Sequence, residues 1–330
     1  MLRRNMLRRN MPRRIALLLL CVTPLSAQVK LTRTGEQVDI VINGKLFTTF
    51  FFGSDAPKPY FHPLRAVNGT VVTRSFPMEQ VAGEEPGEPH HRGFWFGHGD
   101  VNGIDFWLEG PGKGKIVLTT LGKLVSGPES GSFTAEFQWQ APDGTPILDD
   151  RRTMTFSQIG AENIVDAEIT LRPAAGAGKV TFGDTKNGGF AIHCVKALNV
   201  MTNSEGGKGE KEIWGKQANW VDFSGVVADP RMDDAKLGVT MFDSPRNPKH
   251  PTFWQARQAG TLAANQFGEH DFFNDKTRNG SLTIQPGASM TFRYRVLIHG
   301  GDAVTARVAA QYEKWAEKEK ALNQQLQPTK

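Results

Sequence analysis

Side chains that can exchange protons or bind metals are concentrated in the segment 90–107, where they alternate with aromatic residues and glycines. Aromatic residues favour strands and glycine accepts the positive φ of tight turns, so the segment predicts a short strand at residues 94–96 followed by polar loops. Polar groups beside flat apolar walls are typical of a small-molecule site, and we favour this interpretation. The alternative is a buried hairpin with structural histidines. The polar residues concerned are His90, His91, His98, Asp100, Asn102 and Asp105.

Acid–base chemistry on a sugar is one function that these residue types favour. Histidine changes its charge near neutral pH, so it can exchange a proton with a hydroxyl or a ring oxygen. We predict His91 and His98 as general acid or base, with His250 as a further proton-transfer candidate. Flat indole rings can contact the apolar face of a pyranose, although core packing is the better interpretation of Trp254. The residues predicted to bind substrate are Arg65, Arg74, His90, Trp95, Asp100, Asn102, Asp105, Asp184 and Lys186.

Metal binding is the alternative chemistry for the same segment. Histidine and aspartate are competent ligands, and His90, His91, His98 and Asp100 lie close together in the sequence. Adjacent residues of a strand point to opposite faces, so His90 and His91 are not expected to share one ion. The spacing matches no established metal motif. No cofactor is therefore predicted, and a metal remains the minor alternative.

The amino terminus has the pattern of a secretory signal peptide over residues 1–27. Six arginines precede a short apolar run, which is followed by a small-residue cleavage pattern. The chain has a formal net charge of +5, but removing those arginines leaves 33 basic against 34 acidic residues, a net charge of −1. The composition therefore predicts a periplasmic or secreted protein with no nucleic-acid partner and no integral membrane span. The oligomeric state stays open.

Strand-like alternation recurs along the rest of the chain, whose 35 glycines and 19 prolines are typical of many turns. Residues 133–139 and 290–298 alternate between apolar and polar side chains, as half-buried strands do. Only residues 304–322 have a convincing helical period. The predicted class is all-β, a large antiparallel β-sandwich with one C-terminal helix. The predicted divisions are a signal peptide at 1–27, a single sandwich domain at 28–302, and the helix and tail at 303–330.

Several catalytic motifs are absent from the sequence. It contains no Walker loop, no HExxH, no CxxC and no GxSxG. If the leader is removed, Cys194 is the only cysteine that remains, so no intrachain disulfide can form. Cys194 lies in an apolar run, which predicts a small buried residue rather than a nucleophile.

Motifs spread over most of the chain resemble one family. FHPLRAVNGTVVTRSFP (61–77), HHRGFWFGHGDVNGIDFW (90–107), FGDTKNGG (182–189), HPTFWQAR (250–257), NQFG (265–268) and FRYRVLIHGGD near the end are similar to the secreted bacterial family DUF6807. Its members are often labelled methane oxygenase PmoA. A membrane monooxygenase subunit needs several apolar spans of about 20 residues, and none follows the leader, so we treat that label as a misnomer.

The motif order also resembles that of the galactose-mutarotase-like supersandwiches. That resemblance implies a cleft in which arginine, histidine and carboxylate groups bind a sugar. The chain departs from the DUF6807 pattern at Asn187, where an acid is expected, and at Gln255, where a histidine is expected.

Three functions follow from these observations. The first is an exported carbohydrate-active enzyme of the epimerase, lyase or hydrolase type. The second is a non-catalytic carbohydrate-binding protein of the same fold, which the departures at Asn187 and Gln255 favour. The third is a metal-dependent oxidoreductase. The expected partner is a carbohydrate or another small molecule.

Overall fold

The computed structural model describes residues 28–84, 86–229 and 232–326. The predicted signal peptide and the last four residues of the predicted tail lie outside the described residues. The strands are β1 (Val29–Thr34), β2 (Gln37–Ile42), β3 (Lys45–Phe51), β4 (Tyr60–His62), β5 (Phe94–His98), β6 (Lys115–Leu121), β7 (Ser130–Gln140), β8 (Pro146–Ile159), β9 (Glu162–Pro173), β10 (Val180–Phe182), β11 (Gly188–His193), β12 (Val200–Asn203), β13 (Trp220–Asp229), β14 (Met232–Asp243), β15 (Phe253–Ala256), β16 (Thr261–Asn265), β17 (Leu282–Ile284) and β18 (Met290–Gly300). The helices are α1 (Gly209–Ile213), α2 (Glu269–Phe272) and α3 (Val308–Leu326).

Two eight-stranded antiparallel sheets form the body of the protein. The first has the order β1-β2-β3-β4-β5-β11-β16-β15, and the second has the order β12-β13-β14-β18-β9-β8-β7-β6. Apolar side chains of both sheets meet in one large core cluster between them. Phe190 of the first sheet stacks on Tyr294 of the second, for example, with ring centroids 4.8 Å apart. The predicted all-β class and antiparallel sandwich are confirmed.

The predicted C-terminal helix is present, but it begins at Val308 rather than at Val304. Residues 303–307 form turns, and Arg307 has a φ of 52°. Val304 is 87% exposed, so it does not join the apolar stripe. That stripe packs Tyr312 and Trp315 on the outer face of the second sheet. The helices α1 and α2 are short and were not predicted, and α1 lies in a segment of glycines and charged residues.

The outer face of the first sheet positions the site. Side chains of a strand alternate between its two faces, so Phe94 and Phe96 enter the core while Trp95 points outward. Residues that pair across neighbouring strands extend this outer layer over the sheet. The layer contains Tyr60, Trp95, Ala191, Ala263 and Gln255 in one row. Two residues further along, His193 pairs with Thr261 in the next row.

Candidate functional site

A cavity of about 1140 Å³ lies over the part of the outer face formed by β11, β16 and β15. Its floor includes His193, Thr261 and Gln255, and one wall is formed by residues 83–84 and 86–91. Lys186 and Asn187 line the end at the start of β11, whereas Arg257 and Glu210 line the end beyond His193. A volume of this size lies slightly above the usual range for small-molecule sites.

Two histidines from distant parts of the chain meet at the floor of the cavity. His91 Nδ1 and His193 Nδ1 are 3.1 Å apart, although 102 residues separate them in the sequence. The ring of His91 stacks on Trp95 with centroids 5.2 Å apart, which fixes its plane. The two rings can form a hydrogen bond only if one Nδ1 carries a proton and the other does not.

Burial keeps both imidazoles neutral. The pKa of His91 is lowered from 6.5 to about 2, by burial first and then by His193, His90 and Arg74. Burial and then the positive charge of Arg74 lower the pKa of His193 to about 3. Both rings therefore lack a positive charge at neutral pH.

The tautomers of the pair follow from a neighbouring carbonyl. The backbone oxygen of Ala259 favours the protonated form of the His193 ring, as expected of an acceptor that faces a ring N–H. Since Nδ1 of His193 faces His91, we assign that N–H to Nε2 of His193. His91 then donates its Nδ1 proton to His193, and its own Nε2 is an unprotonated acceptor. Within the described residues, no side chain or backbone group hydrogen-bonds this Nε2.

Arg74 holds the wall of the cavity in place. Its guanidinium is buried and donates to the carbonyl oxygens of Phe76, Glu88 and His91. Glu84 closes the same loop by accepting the backbone N–H groups of Ser75 and Phe76. The wall that carries His91 is thus tied to the strand end that carries His193, because Arg74 N donates to the His193 carbonyl.

The opposite side of the cavity has a guanidinium rim and an unpartnered amide oxygen. Arg257 lies over the ring of Trp214 at 3.5 Å from the centroid, and it pairs with Glu210 at 2.8 Å. Gln255 is 6% exposed, and its Oε1 has no hydrogen-bond partner among the described residues. A buried acceptor without a partner costs about 1–3 kcal/mol, so this oxygen is suited to a donor on a bound molecule.

Four of the residues predicted as site residues line this cavity. They are Arg74, His90, His91 and Lys186. His90 has its Nδ1 3.6 Å from Glu88 Oε2, and burial lowers its pKa. Trp95 lies beneath His91 and is 1% exposed, so its ring supports the floor and does not face the cavity.

His98 does not lie at the cavity, contrary to expectation. It is two residues beyond Phe96, so it points to the same face and enters the core between the sheets. Its ring packs on Phe267 and its Nε2 contacts the carbonyl oxygen of Gly183 at 2.9 Å. Burial lowers the pKa of His98 to about 4, so it is a neutral core histidine.

The carboxylates and the amide predicted to bind substrate hydrogen-bond backbone groups instead. Asp100 accepts the N–H of Gly103, and Asp105 accepts those of Trp107 and Leu108. Short polar side chains that bond nearby backbone in this way are a common feature of turns. Asn102 and Asp184 bond backbone of distant segments: Asn102 bridges to Lys179 and Thr181, and Asp184 accepts the N–H of His270.

His250 and Arg65 also lie away from the cavity. His250 Nδ1 is 2.7 Å from Asp243 Oδ2, an oxygen that also accepts the N–H of Thr252. Arg65 donates to the carbonyl oxygen of Gly69. Cys194 and Trp254 are buried as predicted, with 1% and 0% exposure.

The residues that line the cavity but were not predicted as site residues include His193, Gln255, Arg257 and Glu210. Gln255 and Arg257 lie in the motif HPTFWQAR (250–257). His193 is recognised by its position in the sheet, because it lies on the same outer face of β11 as Ala191. Asn187 and Gln255, the two departures from the family pattern, both line the cavity.

The described part of the chain provides neither a metal-binding cluster nor a membrane-spanning helix. No group of three or more histidine, cysteine, aspartate or glutamate residues there is arranged to hold a metal ion. None of the helices within those residues combines the length and apolar character of a membrane span.

Comparisons with known proteins address the fold and the family. A crystal structure described as a galactose mutarotase-like protein from Lactobacillus casei ATCC 334 is similar, with 10% identity and a TM-score of 0.31. The similarity covers 82% of this chain and 100% of that chain. No curated protein matches the chain. The profile described as a family of unknown function, DUF6807, matches residues 37–313. That match spans most of the chain and confirms the predicted resemblance, so the chain belongs to the DUF6807 family.

Proposed function

We propose that this protein is an exported carbohydrate-active protein that binds a sugar in the cavity and transfers a proton through His91 and His193. The observation that carries the proposal is the neutral histidine pair at the floor of a polar cavity of about 1140 Å³. Export rests on the sequence of residues 1–27.

The free polar atoms of the cavity favour a ligand with many hydroxyl groups. The unprotonated Nε2 of His91 and the buried Oε1 of Gln255 both need donors. The ammonium of Lys186, by contrast, is a donor without a hydrogen bond or ion pair among the described residues. A hydroxyl can both donate and accept, so a sugar satisfies all three groups.

The pair has the geometry of a proton relay. A substrate hydroxyl that hydrogen-bonds His91 Nε2 can transfer its proton there, while the Nδ1 proton of His91 moves to His193 Nδ1. His91 then stays neutral and the new positive charge resides on His193. Burial and Arg74 oppose that charge, so the relay requires negative charge on the bound molecule. Epimerase, lyase and hydrolase chemistry each include a proton transfer to or from the substrate.

Binding without catalysis is the second candidate. The strongly lowered pKa values of His91 and His193 favour it, because a base this weak takes up a proton poorly. The amides of Asn187 and Gln255 also occupy cavity positions where titratable residues were expected. In this case the imidazoles act only as hydrogen-bonding groups.

A thermal-shift screen followed by product analysis tests the proposal. The purified protein is screened against monosaccharides, sugar acids and oligosaccharides, and a ligand at ~100 times its Kd should stabilise by ~2.7 kcal/mol. Each hit is then incubated for hours with the protein and analysed by NMR for products.

His91→Gln and His98→Gln are the matched variants, since both remove an imidazole but only one removes it from the cavity. Product formation that His91→Gln abolishes and His98→Gln retains supports the enzyme. Binding without product supports the second candidate. If no sugar shifts the melting temperature, both are wrong.

A further inference from the structure

The carboxylates that line the described part of the cavity wall are already engaged. Glu84 accepts two backbone N–H groups, and Glu210 pairs with Arg257 and accepts the N–H of Gln258. Glu88 is 67% exposed and contacts His90 at 3.6 Å, so it faces solvent rather than the floor.

Arg74 and Lys186 line the cavity and form no ion pair with a carboxylate of the described residues. Arg74 is 7% exposed and donates only to backbone carbonyl oxygens, with no salt bridge to any described residue. Lys186 is exposed and forms no ion pair within the same described residues. A buried guanidinium is costly, because taking a charge out of water carries a desolvation penalty of several kcal/mol. Glu84 and Glu88 act on Arg74 through space, but neither forms an ion pair with it. An anion in the cavity would reduce that cost.

These two cations lie at opposite ends of the cavity. Arg74 N donates to the carbonyl of His193, at the end of β11, whereas Lys186 precedes the start of that strand. At about 3.3 Å per residue, the extended chain from Asn187 to Cys194 spans roughly 20 Å. Both of those residues line the cavity, so it runs along most of β11. A single sugar ring fills only part of that length.

The middle of this length has neutral hydrogen-bonding groups. Gln255 lies in the central row of the sheet face with its buried Oε1 unpartnered, and His91 supplies an unprotonated Nε2 at the Arg74 end. The cavity therefore has a cation at each end and neutral hydrogen-bond acceptors between them.

We propose that the ligand is an acidic oligosaccharide of two or more units, with carboxylates near Arg74 and Lys186 and hydroxyls on Gln255 and His91. This inference rests on the proposed function and names its substrate class. The carboxylate near Arg74 supplies the negative charge that the His91–His193 relay requires.

Isothermal titration of the purified protein with matched sugars tests the inference. The set contains galacturonic acid, its trimer, galactose and a neutral trimer of the same length. We expect the acidic trimer to bind more tightly than both the neutral trimer and the acidic monomer. Its affinity should also fall as salt is raised, because screening weakens exposed ion pairs.

Lys186→Met is the diagnostic variant, and Lys30→Met, at an exposed lysine of β1 far along the same sheet, is its control. Removing the Lys186 cation should weaken the acidic trimer about twofold to fivefold and leave the acidic monomer unchanged, since the monomer binds at the Arg74 end. Lys30→Met should change neither.

Equal affinity for neutral and acidic trimers would overturn the inference and leave the proposed function standing. The same conclusion follows if the acidic monomer binds as tightly as the trimer and Lys186→Met has no effect. Absence of binding by every sugar would overturn both.

Discussion

Acidification should destabilise this protein steeply between pH 7 and pH 5, because four buried histidines are neutral in the folded state. Their pKa values are lowered from 6.5, to about 4 for His62, about 2 for His91, about 4 for His98 and about 3 for His193. Burial is the largest cause for each. Unfolded histidines bind protons below about pH 6.5, whereas these four do not until much lower pH. The contribution of these histidines to the free energy of unfolding is therefore fully present above pH 6.5. It is lost as the pH falls toward their pKa values in the folded state.

The magnitude follows from the difference in bound protons. Each of the four histidines lowers the free energy of unfolding by about 0.8 kcal/mol at pH 6 and by about 2 kcal/mol at pH 5. Together they lower it by ~3 kcal/mol at pH 6 and ~8 kcal/mol at pH 5. A typical domain has only about 5–15 kcal/mol of stability, so unfolding near pH 5 is expected without denaturant. His299 acts in the opposite direction. Burial lowers its pKa, but hydrogen bonding and charge of Asp222 raise it overall, so it favours the folded state in acid.

Urea unfolding at fixed ionic strength between pH 7.5 and pH 5 measures this loss. His98→Gln keeps a donor for the Gly183 carbonyl and should reduce the pH slope by about a quarter. His299→Gln should make the slope steeper. A free energy of unfolding that stays flat from pH 7 to pH 5 would refute the reasoning, because the histidines would then not be neutral and buried.

Three further substitutions test the packing and the cavity. His98→Ala should destabilise the protein by about 2–4 kcal/mol in urea unfolding while sugar binding persists, since His98 is a core residue; lost binding with unchanged stability would contradict its placement. Gln255→Leu should raise the free energy of unfolding of the free protein by ~1–3 kcal/mol, because it removes a buried acceptor without a partner among the described residues. It should also lower the affinity for the ligand measured by calorimetry, and tighter binding would contradict the role given to this oxygen. Gly189→Ala should cost roughly 3 kcal/mol in the same unfolding assay, since φ is 95° and an added Cβ would clash with the carbonyl oxygen of Ala264; a neutral effect would show that β11 and β16 are not so closely apposed.

The pattern of apolar and polar side chains along the chain was sufficient to predict the fold class. Alternation in 133–139 and 290–298 predicted strands with one buried face, and both segments lie in long strands of the second sheet. Apolar sequence context was also sufficient to predict that Cys194 and Trp254 are buried. These features depend on local periodicity and composition, which the sequence shows directly.

The faces of β5 were decided only by the tertiary structure. All five residues of this strand are buried, so no alternation of polar and apolar residues distinguishes the core face from the outer face. His91 and His98 therefore looked equivalent in the sequence. The sheet directs His98 into the core with Phe94 and Phe96, and the cavity is on the opposite face.

The composition of the candidate site also depended on strand order and register. His91 reaches His193 because β5 pairs with β11, and Gln255 joins the same face because β16 and β15 follow in the sheet. Which strands become neighbours is set by contacts between residues far apart in the chain, and local propensity carries no information about them. The sequence by itself determined which residue types can do chemistry and that the chain is built mainly of strands. Only the tertiary structure decided which of them meet, because a sheet brings residues together by register across strands rather than by distance along the chain.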